Sequence, residues 1–167
     1  MRGVKIFRNF ITPSDQRVID EKIKLPYWRY FHCSNPGTGE TPFWSMDDLQ
    51  YDDFFGVYLL NKVKQTIGND HVVERIYMNG HTSGSSGYLH RDAEVSNSRT
   101  FLVYCNSTWD SNFGGSTYFV NGDEREFVYP EPYSAVCFQG NILHGAQPLS
   151  TDFKGLRVTL AYKLFKV

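Results

Sequence analysis

His90 and Asp92 stand two residues apart in the stretch Gly87-Tyr88-Leu89-His90-Arg91-Asp92. In extended backbone successive side chains point to opposite faces, so this imidazole and this carboxylate project the same way while Arg91 points away. A second imidazole, from His144 far along the chain, would complete a set of two histidines and one carboxylate on one side of a metal. That donor set suits Fe(II) and leaves the opposite positions open for a co-substrate and dioxygen. A His-x-Asp pair is a weak signal by itself in a chain with 5 histidines. Its meaning rests on the elements that must carry it.

From Val73 onward the residues read as eight short strands: Val73 to Met78, Ser86 to His90, Thr100 to Cys105, Ser116 to Val120, Glu124 to Tyr129, Ser134 to Phe138, Ile142 to Gln147 and Leu156 to Leu164. Asn79-Gly80, Gly114-Gly115, Asn121-Gly122-Asp123, Pro130-Glu131-Pro132 and Gly140-Asn141 supply the turns between them. Eight strands without intervening helices imply a sandwich or barrel, and a double-sheet jelly roll can hold a metal in its mouth. The first third reads as helical support. Thr12-Pro13-Ser14-Asp15 carries a hydroxyl cap and a first-turn proline, leading into Val18, Ile19 and Ile23. A longer helix is expected to start at a Ser45 cap, with Asp47 and Asp48 suiting its positive end, to run through Leu49, Phe54, Phe55, Tyr58, Leu59 and Val63, and to stop at Gly68. Between the two helices, the aromatic segment Tyr27 to Trp44, broken by Asn35-Pro36-Gly37, reads either as a plug over one end of the core or as a lid over substrate. The expected organisation is one domain over 1–167, with 1–72 as helical support and aromatic loop and 73–164 as the jelly-roll core. The fold class is therefore mainly β, a double-stranded β-helix packed on N-terminal helices.

Composition narrows the setting. The 167 residues contain 41% hydrophobic and 16% aromatic side chains, as expected of a folded chain with a sizeable core. A formal net charge of -1 gives no general attraction to nucleic acid or an anionic membrane. Cys33, Cys105 and Cys137 are odd in number and at no metal-ligand spacing, which argues against a disulfide framework or zinc site, and the latter two read as small buried hydrophobes. The segment Met-Arg-Gly-Val-Lys-Ile-Phe-Arg has no apolar signal region, and no stretch is long enough to span a bilayer, so a cytoplasmic setting is expected.

With these elements in place, the run from Tyr77 to Tyr162 resembles the Fe(II)/2-oxoglutarate-dependent dioxygenases, and within them the prolyl 4-hydroxylase-like branch. The pieces occur in family order: Tyr77, His90-Arg91-Asp92, Phe101-Leu102-Val103-Tyr104-Cys105-Asn106 followed by Trp109, Gly114-Gly115-Ser116-Thr117-Tyr118-Phe119, Pro132-Tyr133-Ser134-Ala135-Val136-Cys137-Phe138, His144 with Pro148, and Arg157-Val158-Thr159. The resemblance covers a little over half the chain. It implies His90, Asp92 and His144 as iron ligands and 2-oxoglutarate and dioxygen in the open positions, with ascorbate as an accessory. A buried carboxylate needs a countercharge and hydrogen bonds. For the far carboxylate of 2-oxoglutarate, Arg157 can supply a bidentate fork and Thr159, two along the same strand face, a hydroxyl. Tyr104 matches the family position whose phenol binds that carboxylate, and Tyr77 one near the metal-proximal end of the co-substrate. Lys154 competes with Arg157, but the alternation Arg157, Thr159, Ala161 fits a pore-facing strand, whereas Lys154 stands beside Gly155 in the preceding turn. The reaction implied is oxidative decarboxylation of 2-oxoglutarate to succinate and carbon dioxide, coupled to hydroxylation of an unactivated C–H.

The resemblance favours a prolyl residue in a peptide or protein as substrate. Two positions depart from it: Lys163 stands where the hydroxylases usually carry an aromatic, and Asn97 where they tend to carry an arginine, with Arg99 nearby but out of register. Arg99, Trp109, Lys163 and Trp44 are the candidate substrate contacts. Two alternatives remain open at this level. One is the same cofactor chemistry on a free amino acid, another small molecule or a nucleobase, the last disfavoured by the acidic balance. The other is a non-catalytic metal-binding jelly roll.

Overall fold

Thr12 opens the first helix as the sequence predicts. Its hydroxyl accepts from the Asp15 amide at 3.1 Å and the Asp15 carboxylate accepts from the Thr12 amide at 2.8 Å, a reciprocal cap that starts α1 (Pro13–Lys22). The same buried Asp15 carboxylate accepts from Tyr58 at 2.9 Å and pairs with Lys62 at 2.9 Å, tying α1 to the second helical segment. Gln16 reaches the Cys105 carbonyl at 2.7 Å and ties α1 to the sheet beneath.

The second helix starts later than expected, because Ser45 lies in a strand and its hydroxyl is spent on Asp47. The cap is Asp52, which accepts from the amides of Phe54 and Phe55 at 3.0 and 3.2 Å. A π-helical segment, Asp53–Leu59, runs directly into α2 (Leu60–Ile67), and Phe55, Leu59 and Val63 bury one stripe. Gly56 is required there, since a Cβ would stand 2.1 Å from the Gln50 carbonyl oxygen. Gly68, at φ +117°, ends the helix.

The computed structural model describes residues 3–34, 37 and 41–167. Among them the strands are β1 (Val4–Phe7), β2 (Arg29–His32), β3 (Phe43–Met46), β4 (His71–His81), β5 (Gly87–His90), β6 (Ser98–Tyr104), β7 (Thr117–Asn121), β8 (Glu124–Val128), β9 (Ala135–Gln139), β10 (His144–Ala146) and β11 (Arg157–Lys166). All eight expected strands are present. The three additional ones, β1 to β3, lie in the part expected to be helical and loop. Together the named strands form two antiparallel sheets, a larger one ordered β1-β9-β6-β11-β4-β3-β2 and a smaller one ordered β5-β10-β7-β8, as in a jelly roll. No helix among the described residues is long and apolar enough to cross a membrane.

The centre of the larger sheet sets up everything else. Strand β11 is buried on both faces, and its residues alternate in kind. Val158, Leu160, Tyr162 and Leu164 join Ile76 and Met78 of β4 and Phe101 and Val103 of β6 in the core under the helices. Arg157, Thr159, Ala161 and Lys163 point the other way, into a cavity between the sheets. The strand register aligns that polar face in rungs. Lys163 stands opposite Arg75 and Thr100, Ala161 opposite Tyr77 and Leu102, Thr159 opposite Asn79 and Tyr104, and Arg157 opposite His81.

Candidate metal and anion site

Strands β5 and β10 pair antiparallel with His90 opposite His144, which sets the two imidazole centroids 4.4 Å apart. Asp92 follows β5 in a turn, its amide donating to the Gly140 carbonyl at 2.8 Å. The His90 and His144 Nε2 atoms lie 3.4 and 3.5 Å from the two oxygens of the Asp92 carboxylate. Ligand atoms of all three residues fall within 4.8 Å of one another, close enough to hold one metal ion.

The second ring nitrogens determine the tautomers. His90 Nδ1 lies 2.7 Å from the Tyr88 carbonyl and His144 Nδ1 lies 2.9 Å from the Ile142 carbonyl. A carbonyl can only accept, so each Nδ1 carries the proton and each Nε2 lone pair is left for a metal. His144 packs 4.5 Å from Phe138 and 6.1 Å from Phe119, and burial pushes its pKa down to about 4, so it stays neutral at physiological pH. Burial alone would raise the Asp92 carboxyl, but the Lys163 ammonium and both histidines hold it well below the usual carboxylate range. A neutral His144 imidazole beside an ionised Asp92 carboxylate suits a divalent metal.

Lys163 completes this end of the cavity. Its ammonium pairs with Asp92 Oδ2 and donates to Thr100 Oγ1 at 3.1 Å, while the Thr100 hydroxyl itself donates to Asp92. The position that departs from the resemblance therefore lies against a side chain of the candidate metal site.

The other end is built around Arg157. The guanidinium is 3% exposed and has no carboxylate partner among the described residues. Its nearest oxygen contact is a long one, 3.5 Å from Nη2 to Thr117 Oγ1, and the Tyr104 hydroxyl bonds the same threonine at 2.9 Å. Burial pushes the Tyr104 phenol up to about 12 and draws the Arg157 guanidinium down. Buried polar atoms without partners gather here: Arg157 Nε, Asn79 Oδ1 and both nitrogens of His81. Unpaired buried groups of this kind are costly, and one bound carboxylate could accept from Arg157 Nε and from the protonated nitrogen of His81. Gly115, at φ +70°, makes room, since a Cβ there would lie 2.9 Å from Arg157 Cδ. The cavity between the two ends measures about 300 Å³.

Of the expected site residues, the structure brings His90, Asp92, His144, Arg157, Thr159, Tyr77 and Lys163 to this cavity. Tyr104 is buried just behind the wall and reaches it through Thr117. Tyr77 sits one rung from Lys163 and two from Arg157, so the residues nearest the guanidinium on β4 are His81 and Asn79. Lys154 lies in an exposed turn and donates to the Thr151 carbonyl. Three candidate substrate contacts are placed elsewhere. Arg99 points to the opposite face of β6 from Thr100 and is held by the Ser96 and Ser98 carbonyls. Trp109 packs on Phe113 and Phe153 and donates to the Gly114 carbonyl. Trp44 packs on Tyr30, whereas its neighbour Phe43 enters the cavity wall and stacks on His81 at 4.3 Å. The aromatic segment thus supplies a wall through strands β2 and β3, and its Asn35 and Pro36 lie outside the described residues. Asn79, His81, Arg75 and Thr100 were not anticipated. Alternation from Tyr77 along a strand three residues longer than expected would have found the first two.

No protein-family model and no curated protein sequence matches the chain. Solved structures do match in fold. A 2OG-Fe(II) oxygenase family oxidoreductase from Burkholderia pseudomallei superposes with a TM-score of 0.76 at 12% identity, over 98% of this chain and 85% of the other. A prolyl hydroxylase from Trichoplax adhaerens, in complex with a hypoxia inducible factor peptide fragment, gives 0.73 at 14% identity, over 99% and 84%. HygX from Streptomyces hygroscopicus, with nickel, 2-oxoglutarate and hygromycin B bound, gives 0.73 at 13% identity, over 99% and 83%. The chain has the fold these proteins share.

Proposed function

We propose that this chain is an Fe(II)- and 2-oxoglutarate-dependent dioxygenase that hydroxylates a prolyl residue in a peptide. The observation that carries the cofactor assignment is the two-ended cavity. Two Nε2 atoms and a carboxylate converge at one end, and a buried guanidinium without a carboxylate partner stands at the other. That pairing suits a ligand with a metal-chelating head and a distal carboxylate. When bound, Fe(II) would activate dioxygen as the four-electron oxidant, with two electrons drawn from 2-oxoglutarate as it becomes succinate and carbon dioxide and two from the substrate C–H, one oxygen atom going to each. His90, Asp92 and His144 would hold the metal on one side and leave the other open. Arg157 and the Thr117 and Thr159 hydroxyls would anchor the distal carboxylate. The apolar side chains lining the cavity, Phe43, Leu102 and Phe138, would help exclude water from the reacting centre once substrate is bound. The fold shared with a peptide-bound prolyl hydroxylase supports a peptide substrate.

A second reading keeps the cofactors and replaces the peptide with a small molecule. The observation favouring it is Lys163, a cation where a prolyl ring would pack in the branch the sequence resembles. Succinate release measured with Fe(II), 2-oxoglutarate and a panel of proline-rich peptides separates the readings. Stimulation by peptide, with a product 16 Da heavier, is the expected result. Turnover of 2-oxoglutarate that no peptide stimulates would overturn the peptide substrate. Bound iron without turnover would leave only a metal-binding module.

A further inference from the structure

We infer that the substrate presents a carboxylate to Lys163 and Arg75 on the metal side of the cavity. This rests on the dioxygenase reading and adds to it a chemical requirement on the substrate. Among the described residues, those lining the cavity include four cations, Arg75, Arg91, Arg157 and Lys163, and a single acid, Asp92. Fe(II), dianionic 2-oxoglutarate, Asp92 and Arg157 together sum to zero charge. The loaded site is therefore neutral before the remaining cations are counted.

Arg91 is exposed, and its guanidinium is engaged by the Asn141 carbonyl. Lys163 has no such outlet. Its side chain is 7% exposed, and its oxygen partners are Asp92 Oδ2 and Thr100 Oγ1. Once Asp92 gives an oxygen to a divalent cation, the ammonium shares that carboxylate with a doubly charged neighbour. A buried charge left partly uncompensated is strongly unfavourable. A second anion on the open side of the metal restores the balance.

Arg75 stands where that anion would arrive. It is paired with Lys163 across β4 and β11, its guanidinium carbon lies 4.7 Å from the Tyr77 ring centroid, and the Lys163 ammonium lies 5.8 Å from the same centroid. Arg75 has no carboxylate partner among the described residues. Two cations gathered around one ring, one buried and one exposed at the mouth, form a cleft for a carboxylate carried by the incoming substrate. The planar Arg75 fork suits a carboxylate bidentately.

The test measures binding without oxygen, to protein loaded with Fe(II) and 2-oxoglutarate. Proline peptides carrying Asp or Glu at each flanking position are compared with their Asn and Gln counterparts, and free proline supplies a main-chain carboxylate as a separate arm. A charge-assisted contact predicts about ten- to a hundredfold tighter binding of the acidic ligand at one position, or of the free amino acid. Arg75→Glu should reverse the preference toward a lysine-bearing peptide. Metal affinity, measured alongside on Lys163→Met, controls for damage to the Asp92 network. Acidic and amide ligands binding within about twofold everywhere, in peptides and in free proline, would overturn the inference. Peptide-independent succinate release distinguishes the failures. If it persists, the dioxygenase reading stands and only the carboxylate requirement falls.

Discussion

Lys163 and Arg157 are buried cations on the same face of the same strand, and their surroundings are opposite. Lys163 is paired with Asp92 and Thr100, whereas Arg157 has no carboxylate partner among the described residues and lies beside buried polar atoms without partners. Until Asp92 shares its carboxylate with a metal, one end of the face is satisfied by the protein itself. In the proposed function the other would be satisfied from outside. The difference separates a cation already paired with a side chain of the candidate metal site from a cation whose counter-ion the proposed function brings from outside.

The largest expected effect comes from breaking the satisfied end. Asp92→Ala strands the buried Lys163 ammonium and should cost about 3–5 kcal/mol of stability. It should also weaken Fe(II) binding by more than about 100-fold, beyond what loss of a supporting residue does. Urea titration and anaerobic metal binding measure the two.

Arg157 should respond in the opposite sense. With no carboxylate to lose, Arg157→Met should leave the ligand-free protein as stable or more so. Arg157→Ala should still raise the 2-oxoglutarate requirement by about 2–5 kcal/mol, as removal of one partner of a buried charge pair does. Thermal midpoints with and without 2-oxoglutarate test both halves. Equal destabilisation by Asp92→Ala and Arg157→Met in the ligand-free state would erase the contrast.

A smaller effect follows from the neutral histidines. Burial pushes His81 down to about 3 and His144 to about 4, from an ordinary value of 6.5. Between those values and 6.5 the unfolded chain binds more protons than the folded one, so stability rises with pH across that window and is lost on acidification. Asp92, held below the usual carboxylate range, adds a loss of the same sign at lower pH still. His81→Phe, which keeps a ring beside Phe43, should remove about 2 kcal/mol of the difference between unfolding free energies from urea titrations at pH 7 and pH 4.5. An unchanged slope would mean that His81 does not carry the effect. Lys154→Ala should do least, changing the 2-oxoglutarate requirement by less than about twofold, because its side chain serves only an exposed turn.

Much of this was legible before the structure. The Thr12 cap, the eight strands and the alternation Arg157, Thr159, Ala161 are local patterns, and local patterns survive folding. The Ser45 helix start was misread because β3 is four residues long and its pairing with β4 is a long-range choice that no local signal announces. The same reason hid β1 and β2. Among side chains, Lys163 was noticed only as a departure from the resemblance. Its contact with Asp92 depends on the register that sets it opposite Thr100. His81 was missed because Asn79-Gly80 reads as a turn, whereas β4 continues through it and leaves His81 opposite Arg157.

The central claim is that a single ligand spans the metal triad and Arg157. The most direct test is calorimetric titration of 2-oxoglutarate, without oxygen, into wild type, His144→Ala and Arg157→Ala, each with and without Fe(II). The account predicts that Fe(II) tightens 2-oxoglutarate binding by at least about tenfold in the wild type and not in His144→Ala, and that Arg157→Ala binds weakly in both states. Binding of 2-oxoglutarate that is indifferent to Fe(II), or unimpaired in Arg157→Ala, would contradict it.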